Sequence, residues 1–399
     1  MLERLERLPV DPILGLMAAF RGDADPRKVD LGVGVYRDDR GNTPVVRAVR
    51  QAEQAVLARQ STKAYVAPAG NPGFNQAMER LVLGEGHPAL TSGRVRTIQT
   101  PGGCGAVRLG AEILRVASPQ SVVHVSTPTW ANHVPLVTGS GLELARYPYF
   151  DRASGGVDFQ GMMGAIERLP ARSVVLLHAS CHNPTGADLS ESQWHELLKV
   201  VKQRGLLPFI DMAYQGLGVG LAEDAFAPRL FSAELPEVLI AVSCSKNFGL
   251  YRERTGALHV VSESAVAADA ALSQLVRIAR SIYSMPPDHG AAIVHEVLSD
   301  EGLRRSWLEE LSEMRGRIQG LRNELVKKLA AVYPHRSFAY IAAQRGMFSY
   351  LGIDTPQVRE LRVQHHVYMT DDSRINIAGL STGNLAYFAE SVAQVLPKH

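Results

Sequence analysis

The sequence predicts an α/β fold, with a large domain built on a mostly parallel sheet covered by helices and a smaller α+β domain beside it. Three observations lead there. Between Thr97 and Val261 short, continuous apolar runs alternate with longer amphipathic stretches, the pattern of strands buried on both faces and joined by crossover helices. A chain of 399 residues with 46% hydrophobic content exceeds the size at which a single core stops growing, so two lobes are expected. Beyond residue 300, an amphipathic stretch is long enough to carry the chain from one lobe to the other.

In chain order, Ser121 to Val125, Ser173 to Leu177, Leu206 to Ile210, Val238 to Val242 and Ala257 to Val261 read as strands. Ala106 to Val116 and Glu191 to Arg204 read as helices between them. From Asp300 to Val332, Leu303, Trp307, Leu311, Met314, Ile318, Leu321, Leu325 and Leu329 recur at three- and four-residue steps. That stripe is the core-facing side of one long helix. Arg345 to Leu351 and Ile375 to Ile377 then supply strands for the smaller domain. No internal repeat, low-complexity segment or linker is visible.

Composition narrows the function. With 42 basic and 40 acidic residues, a net charge of +2 and no cluster of lysine and arginine, neither nucleic acid nor an anionic membrane is an expected partner. The opening MLERLERLPVDP lacks an apolar signal core and no stretch is apolar enough to span a bilayer, so export is not expected. Cys104, Cys181 and Cys244 are odd in number and lack CxxC spacing, which argues against a disulfide framework, against zinc, and for a reducing cytoplasm. Each reads as a small buried filler near a site rather than as a nucleophile.

The chemistry gathers in loops just past the strands. PGGCGAVRLGAE sets Gly102, Gly103 and Cys104 before a helix, where backbone N–H groups and the helix dipole can face an anion. STPTWANH offers Trp130 and His133, HASCHNPTG offers Asn183, and IDMAYQG offers Asp211 and Tyr214. SCSKNFGLYRERTGAL adds Ser243, Ser245, Lys246 and Arg254. Singly, each has an ordinary reading as a loop charge, a cap or a core residue. Jointly they describe a pocket for one flat, phosphorylated ligand able to react with an amine, since ligands of such sheets bind beyond the strands' carboxyl ends.

The ordered series DPILGL, LGVGVYRD, TPGGCGA, HNPTG, DMAYQG, SKNFGLYRERTGAL, YSMPPDHGA, RGMFSY and SRINIAGL resembles the class I pyridoxal-phosphate-dependent aminotransferases, in their aspartate and aromatic amino-acid branch. The resemblance covers nearly the whole chain and implies the fold-type I architecture, with residues 44–313 as the large domain and residues 1–43 and 314–399 as the small one. It implies that Lys246 forms the Schiff base with pyridoxal phosphate and moves the proton at the substrate's α-carbon. Asp211 would pair with the pyridinium nitrogen, with His133 behind it, and Trp130 would stack on the ring. Tyr214 and Asn183 would bond the phenolic oxygen. Gly102, Gly103, Cys104, Ser243, Ser245 and Arg254 would hold the phosphate, joined by Tyr65 from a second subunit, which implies a homodimer with shared sites. Arg374 would grip the substrate's α-carboxylate, with Gly34 and Phe348 nearby, and the partner's counterpart of Arg280 would meet a distal carboxylate. No metal is implied.

Specificity is where the chain departs from the pattern. By that resemblance Ile282 stands where asparagine is usual and Met285 where asparagine or serine is, and Ala64 lacks a polar side chain, so the surroundings of Arg280 are expected to be apolar. That favours aromatic amino acids alongside aspartate and glutamate, with 2-oxoglutarate as the acceptor. Val35, Arg37 and Thr43 resemble the aspartate-preferring pattern, so an aspartate aminotransferase is the alternative. A lyase or decarboxylase on this fold fits Arg280 and Arg374 less well, and a non-catalytic regulator needs an added DNA-reading domain, which is not expected here. Cys104 replaces the usual serine or threonine and removes a hydroxyl near the phosphate.

Overall fold

In the computed structural model, which describes residues 1–9 and 11–397, seven strands form the central sheet. They are β1 (Val95–Pro101), β2 (Val122–Thr127), β3 (Glu143–Pro148), β4 (Val174–His178), β5 (Leu207–Met212), β6 (Val238–Ser243) and β7 (Thr255–Val261), in the spatial order β1-β7-β6-β5-β4-β2-β3. Only β7 runs antiparallel to its neighbours.

The continuous apolar runs are explained by two cores. Val175, Leu177, Ile210, Ile240 and Val242 belong to one hydrophobic cluster, whereas Val174, Leu176, Phe209, Leu239 and Ala241 belong to the other. Successive strand residues point to opposite faces, so alternate members of each run feed alternate cores and no polar position is left. Helix α1 (Gly102–Ala117) lies close on one face. Its Gly110 is required there, because a β-carbon would come 2.3 Å from Cζ of Phe209.

Two strands of the central sheet were not anticipated, β1 and β3. The first mixes arginine, threonine and glutamine with its apolar residues, and the second is a sheet edge with mostly polar or half-buried positions, so neither carries an apolar run. Helix α1 also begins four residues before its expected start, at glycines whose low helix propensity hides them. Helix α2 (Glu191–Arg204) matches its expected span, with a capping box from Ser190 and Gln193 and left-handed Gly205 as its stop.

Helix α3 (Ala265–Ile282) covers the sheet, and helix α4 (Glu301–Val332) starts from an Asp300 cap on the amide of Leu303. Its predicted stripe is buried from Trp307 to Leu329, with Leu303 only partly so. Trp307 stacks on Phe248 at 4.5 Å and donates to the carbonyl of Asn247 at 2.7 Å. The long helix is thereby anchored next to Lys246.

Beyond α4, β8 (Phe348–Tyr350) pairs antiparallel with β9 (Arg374–Asn376). Strand β8 is shorter than the expected Arg345 to Leu351, because Gly346 takes a φ of +71° and turns the chain before pairing begins. Near the amino terminus, Val29 and Asp30 pair in parallel with Val367 and Tyr368, and Leu31 accepts from the amide of Asn376 at 2.8 Å. No helix among the described residues is long and apolar enough to cross a membrane. The expected small domain includes residues 398 and 399, which lie outside the described residues.

Candidate active site

The carboxyl ends of β1, β2, β4, β5 and β6 open into one cavity of about 170 Å³. Gly103, Cys104, Trp130, Asn183 and Asp211 line it, as do Tyr214, Ser243, Ser245, Lys246 and Arg254. Residues from five strand ends, as far apart in the chain as Gly103 and Arg254, thus meet in one place.

Asp211 sits on β5 and is buried. Its Oδ2 is 2.9 Å from Nε2 of His133, whose Nδ1 lies 2.7 Å from Oγ1 of Thr129. Burial raises the carboxyl's pKa, but the His133 bond and nearby positive groups outweigh it, so the pKa lies below the ordinary value. His178, which also faces Asp211, is neutral at pH 7: burial first, and His133 second, pull its pKa down to about 3. The main support for the carboxylate is therefore the His133 hydrogen bond. His133, His178 and Asp211 bring potential metal-ligating atoms within 4.8 Å of one another, yet the Asp211 oxygen is already committed to His133.

Lys246 places its Nζ 5.1 Å from the centre of the Tyr214 ring. Burial lowers the amine's pKa and Arg254 adds to that, while Asp211 and Cys104 oppose without cancelling it. The Tyr214 phenol is pushed up by burial, so it stays a proton donor at neutral pH. This combination suits a reactive amine beside a buried, protonated phenol.

The anion cradle is tight. A β-carbon on Gly102 would lie 2.3 Å from Nη2 of Arg254, and one on Gly103 would lie 3.1 Å from Cβ of Ser243. Gly102 also takes a φ of +70°, which a side chain resists. Nη1 of Arg254 donates to Oγ of Ser245 at 3.2 Å and to the carbonyl of Tyr251 at 3.1 Å, while Oγ of Ser243 accepts from the amide of Ser245 at 3.2 Å. Glycine backbone, two hydroxyls and a guanidinium at a helix start fit a phosphate. With Trp130, Asp211 and Lys246 around the same space, the donor set fits a flat phosphorylated aldehyde. Cys104 is half-buried and lines the cavity, unlike the expected buried filler, whereas Cys181 and Cys244 are buried.

Arg374 adjoins this cavity through Asn183. Its Nη1 donates to Oδ1 of Asn183 at 3.3 Å and its Nη2 to the carbonyl of Gly32 at 2.8 Å, with the Phe348 ring 4.4 Å from Cζ. Burial lowers its pKa, and its buried Nε has no protein acceptor. Such a donor suits a carboxylate. Gly34 is required beside it, since a β-carbon would come 2.7 Å from Cζ of Phe348.

Tyr65 and Arg280 do not reach this cavity. Tyr65 is 90% exposed, and Arg280 is exposed at the end of α3, where its Nη1 donates to Oγ of Ser284 at 3.0 Å. Ile282, two residues on, is 48% exposed. Conversely, the cavity includes His178, Ser180, Ala213 and Tyr251, which the loop analysis did not single out. Tyr251 lies in the same stretch as Lys246 and Arg254, and its hydroxyl accepts from the amide of Tyr36 at 2.9 Å. Burial pushes its phenol up to about 12.

Comparison with known proteins agrees with this geometry. The family model described as aminotransferase class I and II matches residues 26–392. The aromatic-amino-acid aminotransferase of Pseudomonas aeruginosa is 47% identical over 98% of both chains, and the aspartate aminotransferase of the same organism is 43% identical over 98% of both. Among solved structures, the aromatic-amino-acid aminotransferase of Burkholderia pseudomallei, covalently bound to pyridoxal phosphate, superposes with a TM-score of 0.97 at 45% identity, covering 100% of each chain. A match of that extent, on a chain whose strand-end residues meet around one lysine, leaves a single family: this protein belongs to the class I and II aminotransferases.

Proposed function

We propose that this aminotransferase acts on tyrosine and phenylalanine, retains aspartate and glutamate activity, and passes the amino group to 2-oxoglutarate in two half-reactions. The observation that carries the reading is the cavity in which Lys246 meets Tyr214, Asp211 and the Arg254 cradle. Pyridoxal phosphate, when bound there, supplies an aldehyde to take up the amino group and a ring to accept the electrons of the α-carbanion.

The chain's own residues do the rest. Ser243, Ser245, Arg254 and the amides at Gly103 and Cys104 hold the phosphate. Trp130 covers one face of the ring, and Asp211, kept ionised by His133, holds a proton on the ring nitrogen. Asn183 and Tyr214 orient the phenolic oxygen. Arg374 binds the substrate's α-carboxylate and so presents the α-hydrogen to Lys246, whose amine moves that proton. Residues 44–313 form the large domain in this reading, and residues 1–43 and 314–399 the small one, consistent with the pairing of Val29 and Val367. A cytoplasmic setting fits three free cysteines.

The aromatic preference rests on Ile282 and Met285, which leave Arg280 without polar neighbours from those positions, and on relatives named for that activity at 45–47% identity. Aspartate preference is the second reading, favoured by Arg37, which forms an ion pair with Asp30. Steady-state kinetics with phenylalanine, tyrosine and aspartate, each with 2-oxoglutarate, decide between them. The expected result is kcat/KM for an aromatic substrate at least equal to that for aspartate. An aspartate value far above both aromatics overturns the preference.

The exposure of Tyr65 and Arg280, with neither in its own chain's cavity, supports a homodimer in which each completes the partner's site. Mixing Lys246→Ala chains with Arg280→Ala chains then builds hybrids with one intact site. Aspartate turnover absent from either variant alone reappears in the mixture; a mixture as inactive as its components rules out sharing.

A further inference from the structure

We propose that Arg322 is a positioning residue for the substrate's α-carboxylate, acting through the strand that carries Phe348 and through the Arg374 clamp. The inference rests on the reading of Arg374 as the carboxylate anchor.

Arg322 lies on α4 and is fully buried, on the same helix as the buried Leu321, Leu325 and Leu329. An arginine there is costly, because its charge leaves water without the packing gain of a leucine. Burial pulls its pKa down to about 9, so it stays charged at neutral pH. What it obtains in return is a set of acceptors from one short segment. Nη1 donates to the carbonyl of Ile341 at 2.9 Å and to Oγ of Ser349 at 2.5 Å. Nη2 donates to the carbonyls of Gly346 and Phe348, each at 2.7 Å, and of Arg345 at 3.2 Å. A planar fork can satisfy acceptors spread over such an arc, whereas a lysine ammonium radiates from one point.

The segment so held touches the clamp from two sides. Strand β8 pairs with β9 so that Tyr350 faces Arg374, and the Phe348 ring packs against the Arg374 guanidinium. The same segment also abuts the loop of Asn183: the amide of Arg345 donates to the carbonyl of Gly186 at 2.7 Å, and a β-carbon on Gly186 would lie 2.2 Å from the Phe348 carbonyl oxygen. Asn183 and Phe348, which both contact Arg374, thus depend on backbone that Arg322 fixes. Ser349 extends the hold through Gln344, which donates to the carbonyl of Gly155 at 2.9 Å.

The test uses purified, cofactor-loaded Arg322→Met and Arg322→Lys. Cofactor absorbance and thermal unfolding establish that each variant is folded and loaded. Binding of 3-indolepropionate, a carboxylate with no amine to transfer, is then titrated by absorbance, and KM and kcat are measured with the amino acid the wild type prefers. In Arg322→Met, the Kd for 3-indolepropionate and the KM values of both substrates rise together by roughly tenfold, with kcat changed by less than about threefold. Arg322→Lys falls between wild type and Arg322→Met. Wild-type affinity for 3-indolepropionate in either folded variant, or a loss confined to kcat, overturns the proposal. If Arg322→Met does not fold, Arg322→Lys alone decides. Because the kinetics follow the wild type's own substrate, failure of the aromatic preference leaves the KM and kcat comparison readable even where the wild type does not bind 3-indolepropionate.

Discussion

Replacing Lys246 with alanine lowers transamination by on the order of 10⁴-fold or more, the upper range for loss of a positioned proton-transfer group, with the covalent attachment lost as well. The phosphate cradle does not depend on this side chain. Ser243, Ser245 and Arg254 are held by one another and by the carbonyl of Tyr251. The Lys246→Ala protein therefore still binds pyridoxal phosphate, now removable by gel filtration after denaturant-free dialysis and lacking the absorbance of a lysine adduct. Steady-state rates and the absorption spectrum check both halves of the expectation. Near-normal turnover in this variant would remove Lys246 from the mechanism.

The second large effect is expected at Asp211. Asp211→Ala removes the one carboxylate in the cavity lining, and with it the counter-charge for a protonated ring nitrogen. Turnover falls by roughly 10²- to 10³-fold, the scale set by losing a preorganised electrostatic partner in a water-poor site. Cofactor retention weakens too, measured as the dissociation constant for pyridoxal phosphate. The pH dependence follows from the sign of the shift. Because the folded pKa lies below the ordinary carboxylate value, about 4, the group's contribution to stability is complete above that value and is lost as pH falls through the folded pKa. Asp211 accordingly produces no loss of wild-type activity between about pH 5 and 7, and an Asp211→Ala variant that transaminates normally would mean the ring is oriented in some other way.

The sheet was legible because its strands are apolar on both faces, and burial on both faces leaves a run that needs no partner to be seen. Val238 to Val242 and Glu191 to Arg204 could be bounded from composition and capping alone. β1 and β3 could not, since their pairing depends on neighbours: β1 lies against β7 over its whole length, and β3 against β2. In the site, every loop that ends in a polar residue after an apolar run was visible. His178 and Tyr251 were passed over because nothing local distinguishes a ring that lines a cavity from one that fills a core.

The linear chain was enough to determine the chemistry available to this protein. Lysine, aspartate, tyrosine, asparagine and arginine stand at or near strand ends, and the side chain of each can do only a few things. Which of those things it does was decided by tertiary structure. The low pKa of the Lys246 amine comes from burial, and the ionisation of Asp211 from His133, which lies 78 residues away in sequence but 2.9 Å away in space. The Arg374 clamp depends on Asn183, 191 residues earlier, and its Phe348 neighbour on a guanidinium from α4. Desolvation and short-range hydrogen bonds act on distance in space, and sequence separation says nothing about it until the chain has folded.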